Sequence, residues 1–441
     1  MDVVICFCCY AAAMIYCLVS GTSTAWAIVL ALALFVVCGL KRGFSFKDLL
    51  DMSKTNIPAS MTVIRILFIL GALTGLWRSC GTIPFCIYYG VRFIKPGMFI
   101  FVTFLINMLL SLALGTSLGV SSTSGVVLIS LARFGGVDPL VCAGAVMSGI
   151  YFGDRCAPTS SCANLVAAVT GTKLYDNIKL MHRTALLPYV ITFAFYAVLS
   201  VMNPIGVVDE GMMNALCTEF SLSFWTVVPA VIMIVMPLLK APLYISMGTS
   251  GLAAFLVSIF CQHMSLEDVV MTALTGFKPE GGMLAGVISG GGISSIIMSP
   301  VMVLSASLLT GVLQGMGVLD GVSEKLAAGV EKFGRLVTTG ILGVAGLMVF
   351  CNQTTTNIVQ AQLMKEMYPD SEDGKSELAM DIANTGVVIA GLVPWCVACS
   401  VPLDTLGVGI GALPYSVLLY AIPLCYLFTK KKFFKADGKK D

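Results

Sequence analysis

The sequence predicts an all-α polytopic membrane protein, and three observations lead to this fold class. Of its 441 residues, 57% are hydrophobic and only 11% are charged, with a mean hydropathy of +0.93. Soluble domains carry about 25% charged residues, so these charges are too few to cover a surface in water. Apolar runs long enough to cross about 30 Å of hydrocarbon recur along the chain. Hydroxyl- and amide-rich stretches interrupt the apolar sequence, as in helices that break inside a membrane.

The apolar runs place the candidate spans. Examples are 3–19, 25–40, 58–77, 98–114, 189–202, 224–239 and 413–428. No cleavage pattern follows the first run, which we therefore expect to be a retained span and not a removed leader. The 16 cysteines lie mostly inside apolar runs, without the spacing of a zinc site or a disulfide framework, so we expect small apolar residues and no cofactor.

Charge placement predicts how the chain is oriented. Lys and Arg concentrate in 41–54, 173–183 and 430–440, whereas Asp209, Glu210 and Glu219 share a loop without Lys or Arg. The positive-inside rule puts the three basic segments in the cytoplasm and the acidic loop outside. We therefore expect a multi-pass protein of the cell membrane with both termini cytoplasmic and lipid around it. A net charge of +2 argues against a nucleic-acid partner.

An internal repeat is indicated by one constant offset. Leu73-Thr74-Gly75 recurs as Leu309-Thr310-Gly311, an offset of 236 (309 − 73), and the same offset pairs Pro158 with Pro394. With the loop charges, this predicts two inverted-topology repeats containing broken or re-entrant helices. The expected division is 1–56 (two helices and a cytoplasmic loop), 57–172 (first repeat), 173–276 (connecting helices), 277–412 (second repeat) and 413–441 (last helix and basic tail).

The first repeat contains two polar stretches, 115–125 and 151–165. Such stretches are costly at bilayer depth unless they line a cavity or pair with other helices. Close packing explains the GxxxG pairs Gly71/Gly75, Gly149/Gly153 and Gly311/Gly315 better than a site does. For 151–165 the alternative to a site is an interfacial turn whose two charges pair with each other. The candidate site residues are Thr116, Ser117, Ser121, Asp154, Arg155, Thr159, Ser160, Ser161 and Asn164.

The second repeat contains an amide-rich run at 352–357. Close helix packing alone does not require so many amides, so we interpret this run as part of a site. The candidate site residues of the second repeat are Asn352, Gln353, Thr354, Thr355, Asn357, Asn384, Thr385 and Asp404. A GxSxG pattern begins at Gly115, but a hydrolase also needs a histidine base, and His182 and His263 lie in polar connecting segments. No Walker A, HExxH or GxGxxG motif is present, so no enzyme is predicted.

Several motifs, over about residues 57–428, resemble the NhaC-type sodium/proton antiporters. They are Gly81-Thr-Ile-Pro84, Ile87-Tyr-Tyr-Gly90, Gly115-Thr-Ser-Leu-Gly119, Ser148-Gly-Ile-Tyr-Phe-Gly-Asp154, Asn164-Leu165, Ala168-Val-Thr-Gly-Thr172, Val393-Pro-Trp395 and Thr405-Leu-Gly-Val408. That family includes exchangers of organic acids such as malate and lactate and transporters of amino acids. The resemblance implies a secondary transporter with two inverted halves, alternating access, and coupling to Na⁺ or H⁺.

The chain departs from the family pattern at three acids. Ser161 stands at one acidic position, and Ala383-Asn384-Thr385-Gly386 replaces Glu-Asp-Ser-Gly, while Asp404 is an additional acid. The resemblance implies sodium/proton antiport. The alternative is a Na⁺- or H⁺-coupled exchanger or symporter of a small organic acid or amino acid. Oxygen atoms of Asp154, Ser161, Asn164 and Asn357 are the candidate ligands for Na⁺ as a transported ion. Assembly as a homodimer is a further expectation.

Asp154 is the predicted coupling residue. Burial disfavours a charged carboxylate, whereas a neighbouring Arg155 favours it, so the two effects compete. If desolvation wins, Asp154 exchanges a proton near neutral pH and links proton movement to substrate binding. If Arg155 wins, the two form a fixed ion pair, and coupling moves to Asp404 or is absent.

Overall fold

A computed structural model describes residues 2–206, 210–239, 241–279, 284–285, 288–318 and 322–434 of the chain. Within these ranges the backbone is helical, with no β-strand beyond an isolated bridge between Phe277 and Gly290. Asp209 of the acidic loop and residues 435–440 of the basic tail lie outside the described part, so the structure does not bear on them.

The structure has five N-terminal helices, three of which coincide with the apolar runs 3–19, 25–40 and 58–77. They are α1 (Asp2–Ser20), α2 (Ala25–Lys41), α3 (Phe46–Lys54), α4 (Ile57–Ser79) and α5 (Thr82–Phe93). The short α3 begins with a capping box, in which the Ser45 side chain accepts from the backbone of Asp48 and the Asp48 side chain accepts from the Ser45 backbone. Such a reciprocal cap satisfies two donors that the first turn leaves unpaired, so this polar loop ends in a defined helix.

The remaining helices of the first predicted repeat are short and interrupted. They are α6 (Phe99–Leu114), α7 (Ser117–Val120), α8 (Val126–Phe134), α9 (Pro139–Cys156) and α10 (Ser161–Thr170), with a π-helical segment (Ser121–Gly125) between α7 and α8. Breaks therefore fall at 115–116 and 157–160. The second contains Pro158, which cannot donate a backbone hydrogen bond to a continuing helix.

Connecting helices follow, and then the second predicted repeat. The connecting helices are α11 (Leu174–Thr184), α12 (Leu186–Met202), α13 (Glu210–Glu219), α14 (Val228–Leu238), α15 (Leu243–Phe260) and α16 (Leu266–Thr275). The later helices are α17 (Met298–Gly315), α18 (Val322–Phe333), α19 (Arg335–Phe350), α20 (Gln353–Met364), α21 (Glu372–Asn384), α22 (Gly386–Ile389), α23 (Val397–Leu406) and α24 (Val417–Thr429). Breaks again interrupt this region, at 351–352 and at 393–396.

Six helical segments in the described chain are long and apolar enough to cross a membrane, and three bent helix pairs bring the number to nine if each pair is one span. One pair, Glu372–Leu392 with Val397–Leu406, bends by 43° at the break that contains Pro394. Together with the absence of sheet from the described residues, these segments confirm an all-α polytopic membrane protein with broken helices.

The GxxxG glycines pack helices, as predicted. An ideal Cβ on Gly153 of α9 would lie 2.0 Å from the carbonyl carbon of Ser111 in α6, so these two helices touch backbone to backbone. A Cβ on Gly311 of α17 would lie 2.4 Å from the carbonyl oxygen of Met52 in α3. Small residues allow such approach and let dispersion contacts hold helices together in lipid.

Helix boundaries in the two halves coincide at the offset of 236. Helix α6 (Phe99–Leu114) corresponds to α19 (Arg335–Phe350), and α10 (Ser161–Thr170) corresponds to α23 (Val397–Leu406). Each first member ends in a left-handed residue, Gly115 (φ 68°) or Gly171 (φ 71°). The residues 236 positions later, Cys351 (φ 54°) and Gly407 (φ 64°), are left-handed too.

Candidate functional site

The two breaks of the first half lie against each other. An ideal Cβ on Gly115 would lie 2.3 Å from Thr159 Oγ1 and 2.7 Å from the Ser160 backbone nitrogen, so only glycine fits there. Thr116 caps α7 by accepting from the Gly119 backbone at 3.3 Å, and Ser160 caps α10 by accepting from the backbone of Cys162 at 3.1 Å. Each cap thus satisfies backbone donors at the start of its helix, which lowers the cost of these breaks inside a membrane.

The second half repeats this arrangement with different side chains. The Val397 backbone N–H donates to the Cys351 carbonyl at 2.9 Å, which joins the break at 351–352 to the break at 393–396. Asn352 caps α20 by accepting from the Thr355 backbone at 3.1 Å. Asn352 (φ −139°, ψ 122°) has almost the backbone conformation of Thr116 (φ −143°, ψ 124°), its partner at the offset of 236.

Asp154 lies in the last turn of α9, where the two halves meet. Its side chain is 5% exposed, and its Oδ2 accepts a long hydrogen bond of 3.4 Å from Gln353 Nε2 of the second half. The same Gln353 amide donates to the Val387 carbonyl at 2.8 Å. Among the described residues Asp154 takes part in no ion pair. A buried carboxylate with one neutral donor is well suited to gain a proton or bind a cation.

Arg155 points away from Asp154. Its Nη2 donates to Asn384 Oδ1 at 2.5 Å, to the Met181 carbonyl at 2.9 Å and to Thr184 Oγ1 at 3.3 Å. The alternative in which the two adjacent charges neutralise each other in a solvated turn is therefore wrong, because both side chains are buried and their partners differ. Arg155 instead fastens α9 to α11 and to the end of α21.

Two amide oxygens that accept no hydrogen bond from the described residues belong to α20, the helix that also carries Gln353. Asn357 and Gln360 in α20 are fully buried, and neither Asn357 Oδ1 nor Gln360 Oε1 has a partner in the described chain. Both approach Gly386, where an ideal Cβ would lie 2.1 Å from the Gln360 oxygen and 2.6 Å from the Asn357 oxygen. Because Gln360 Nε2 donates to the Thr339 carbonyl at 2.8 Å, the orientation of this amide is fixed.

Gln360 was missed at the sequence level. It lies outside the polar run 352–357, but one helical turn beyond Asn357, so i, i+3 spacing brings the two side chains together. Asn357 Nδ2 also reaches Cys162 Sγ of the first half, at 3.5 Å. The unsatisfied oxygens therefore lie at a contact between the two halves, as does Asp154.

The other predicted residues occupy several environments. Ser117 and Ser121 are buried, and Ser121 donates to the Leu118 carbonyl of its own helix at 3.0 Å. Thr385 is also buried and donates to the Asp381 carbonyl at 2.5 Å. Exposed side chains belong to Thr159, Ser161, Asn164 and Thr354. The Asn164 amide donates to the Pro158 and Ser160 carbonyls, at 3.0 and 2.7 Å. Its N–H groups therefore support the break.

Asp404 lies in a different place. Its Oδ2 accepts from Ser299 at 2.8 Å, and it lines a cavity of about 420 Å³ with residues of α1 and α17 and a second cavity of about 220 Å³. The structure thus brings Asp154, Arg155, Gln353, Asn357 and Asn384 together and puts Asp404 elsewhere.

A buried ionic cluster was not predicted at all. Lys430, at the end of α24, pairs with Glu377 Oε1 at 2.6 Å and with Asp381 Oδ2 at 2.5 Å. Asp381 is fully buried and also accepts from the hydroxyls of Tyr368, at 2.6 Å, and Tyr426, at 3.0 Å. In the sequence Lys430 is merely the first residue of a basic tail, so only the fold shows that it is held inside.

Fold and site together define a polytopic membrane protein whose broken helices cross at a polar, buried centre. Residues 149–429 match the Na⁺/H⁺ antiporter family. The chain belongs to this family, which confirms the resemblance seen in its motifs.

Several named relatives are similar to this protein over most of the chain. It is 28% identical to the malate-2H⁺/Na⁺-lactate antiporter of Bacillus subtilis over 82% of this chain and 81% of that protein. It is 26% identical to the Na⁺/H⁺ antiporter NhaC of Alkalihalophilus pseudofirmus over 90% and 87% of the two chains. The arginine/ornithine antiporter ArcD of Halobacterium salinarum is 25% identical over 90% and 84%.

Proposed function

We propose that this protein exchanges Na⁺ for H⁺ across the cell membrane by alternating access, with the ion site at the crossing of its broken helices. Membership of the Na⁺/H⁺ antiporter family supports Na⁺ and H⁺ as the two exchanged ions. The site residues are Asp154, Gln353, Asn357 and Gln360. Asn384 and Arg155 position the neighbouring helix ends.

One observation carries the assignment of the cation site: the two buried amide oxygens of Asn357 and Gln360 that lack any donor. Leaving such a group unsatisfied in an apolar interior costs about 1–3 kcal/mol. A hard cation that prefers oxygen ligands removes that cost on binding. Gly386 lies against both oxygens, and a side chain at this position would collide with them.

Asp154 supplies the proton in this proposal. Since its carboxylate has no cationic partner among the described residues, binding Na⁺ nearby and binding a proton are alternative ways to neutralise it. Competition of this kind links the two ions, because a site that has taken the proton binds Na⁺ less well. Asp404 is not part of this centre, because it accepts a hydrogen bond from Ser299 and lines two other cavities.

The inverted repeat is part of the proposal. What supports it is the coincidence of α6 with α19 and of α10 with α23 at the offset of 236, with left-handed residues at equivalent ends. Two halves of opposite orientation expose a central site alternately to each side when they rock against each other. The division at 57–172 and 277–412 follows from the same offset.

The remaining expectations follow from the family. We place the protein in the plasma membrane with both termini in the cytoplasm, because the segments 41–54 and 173–183 are basic. We assign it no enzymatic activity and no cofactor, with lipid and a small ion or solute as its partners. Nucleic acid is not among the proposed partners, and a homodimer is the proposed assembly.

A second candidate substrate class is a small organic acid or amino acid. Two relatives named for malate and lactate or for arginine and ornithine favour it. The three missing family acids favour it as well, since they remove negative charge from where a cation is expected. Counterflow in liposomes with Na⁺, carboxylates and amino acids as the trial substrates separates the two candidates.

The cation site is tested by Gln360→Ala in reconstituted liposomes. We expect the Na⁺ concentration for half-maximal exchange to rise about tenfold, because one uncompensated oxygen ligand is lost. Asn357→Ala is expected to act in the same direction, whereas Asn214→Ala, on the exposed side of α13, is the matched control and leaves it unchanged. Unaltered Na⁺ dependence in well-folded Gln360→Ala and Asn357→Ala proteins would exclude this site.

A further inference from the structure

Two arginines line one small cavity away from the crossing. Arg78 lies in the last turn of α4, and Arg133 lies in the last turn of α8. Both line a cavity of about 220 Å³ together with Thr74, Gly290 and Asp404. Because α4, α8 and α23 all end here, the cavity lies at a junction of the two predicted halves.

Arg78 is buried with part of its guanidinium unpaired. It is 5% exposed, its Nη1 donates to the Thr74 carbonyl at 2.7 Å, and its Nε has no hydrogen-bond partner in the described chain. No ion pair of Arg78 with an acid is present there either. A buried charge that no acid pairs with directly is expensive, so an anion bound beside this guanidinium lowers that cost.

Arg133 adds a second positive charge to the cavity and also stabilises the end of a helix. Its Nη2 donates to the carbonyls of Leu406 and Gly407, at 3.1 and 2.7 Å, and so holds the C-terminal end of α23. That role uses one of its three nitrogens, and the described chain contains no acid paired with it. The remaining N–H groups are available to a ligand in the cavity.

Asp404 limits which anion fits. With two arginines and one carboxylate in the wall, the cavity carries a net charge of about +1, which one negative charge balances. A second carboxylate on the ligand would face Asp404 and be repelled. A cavity of only about 220 Å³ limits the ligand to a short chain.

Gly290 leaves one wall of the cavity open to a ligand. Its φ is 113°, a conformation that glycine adopts readily, and an ideal Cβ on it would meet nothing within 4 Å. Open space therefore lies beside the Gly290 backbone, which lines the cavity.

We propose that the cavity between Arg78, Arg133 and Asp404 binds a small monocarboxylate, held by the two guanidiniums. Planar guanidinium forks match the two oxygens of a carboxylate, and such charge-assisted hydrogen bonds are strong. This inference adds to the proposed transport function a second site with its own ligand class. Its failure leaves Na⁺/H⁺ exchange at the crossing untouched.

The test is binding by the purified full-length chain in detergent, measured by calorimetry and by the shift in unfolding temperature. The probes are potassium lactate and potassium succinate, with potassium chloride at matched ionic strength. We expect saturable lactate binding, weak succinate binding and no saturation with chloride. Arg78→Gln should weaken lactate binding about tenfold or more, and Asp404→Asn should improve succinate binding relative to lactate.

Arg65→Gln is the matched control, because Arg65 lies on α4 with an exposed side chain, and it should bind lactate normally. If Arg78→Gln is not monodisperse, Arg78→Lys keeps the charge and tests the loss of the fork, again with weaker binding expected. Full lactate affinity in either folded Arg78 variant would refute the proposal. So would stabilisation by chloride equal to that by lactate, while unchanged Na⁺/H⁺ exchange in Arg78→Gln confirms that the two sites are separate.

Discussion

Adjacent residues can have opposite surroundings, and Asp154 and Arg155 show why sequence alone left their roles open. Residues i and i+1 of a helix point in directions about 100° apart, so each meets different neighbours. Arg155 meets Asn384 and the Met181 carbonyl, whereas Asp154 meets Gln353. Both residues were predicted as site residues, but their separate partners depend on how the second half packs against the first.

Asp154→Asn is expected to abolish proton-coupled Na⁺ transport while Na⁺ binding persists, because asparagine keeps the shape and an oxygen ligand but cannot exchange a proton. Transport rate against pH in liposomes measures this, with a monodisperse elution profile as evidence of folding. Asp176→Asn, whose side chain is exposed on α11, is the control. An unchanged pH profile in folded Asp154→Asn protein would transfer the coupling role to Asp404.

Lys430 illustrates what single residues hide. In the sequence, several lysines at a helix end predict a solvated tail. The neighbouring residues do not distinguish Lys430 from the exposed Lys431 and Lys432. Its position between Glu377 and Asp381 is set by tertiary packing of α24 on α21. Gln360 was missed for a related reason. A single amide outside a polar run does not indicate a site in the sequence, and only the structure shows that its oxygen is unpaired.

At the scale of elements, helix breaks were the most predictable feature. Pro158 and the Gly115–Thr116 step carry local signals that hold in any packing, because proline lacks a donor and glycine tolerates a left-handed conformation. The break at 351–352 lies at the start of the polar run 352–357 and 236 residues after Gly115. Its left-handed residue is Cys351, which no propensity rule favours at φ 54°.

The crossing of the first two breaks depends on Gly115. We expect Gly115→Ala to destabilise the protein more than Gly171→Ala. Both replacements carry the left-handed penalty of about 1–2 kcal/mol, but only at Gly115 does the new Cβ collide with Thr159 and Ser160. At Gly171 a Cβ would meet nothing within 4 Å. Unfolding temperatures of the two variants measure the difference, and equal losses would show that the breaks do not cross tightly.

At the scale of the molecule, sequence predicted the fold class and the location of the polar centre, but not the cavities. Composition decides that the chain lies in lipid, and the constant offset predicts which stretches correspond. The Arg78–Arg133 cavity joins residues from helices far apart in the chain, and the arginines have no motif in common. A cavity of this kind forms only when the two halves pack together, so the sequence does not predict it.

The inverted orientation predicts that the loop after α10 and the loop after α23 lie on opposite sides of the membrane. A short epitope inserted after Thr172 should be reached by antibody only in inside-out vesicles, and one inserted after Val408 only in right-side-out vesicles. Each tagged protein must retain exchange activity to count. Reaction of both epitopes from the same side would rule out inversion of the second half.

The central claim is Na⁺/H⁺ exchange by this chain, and proton flux in liposomes tests it most directly. Purified protein is reconstituted with Na⁺ inside, diluted into Na⁺-free buffer, and followed with a trapped pH-sensitive dye. The account predicts that the interior acidifies as Na⁺ leaves, that external Na⁺ reverses the change, and that protein-free liposomes show neither. A monodisperse, reconstituted protein that moves no protons in response to a Na⁺ gradient would contradict it.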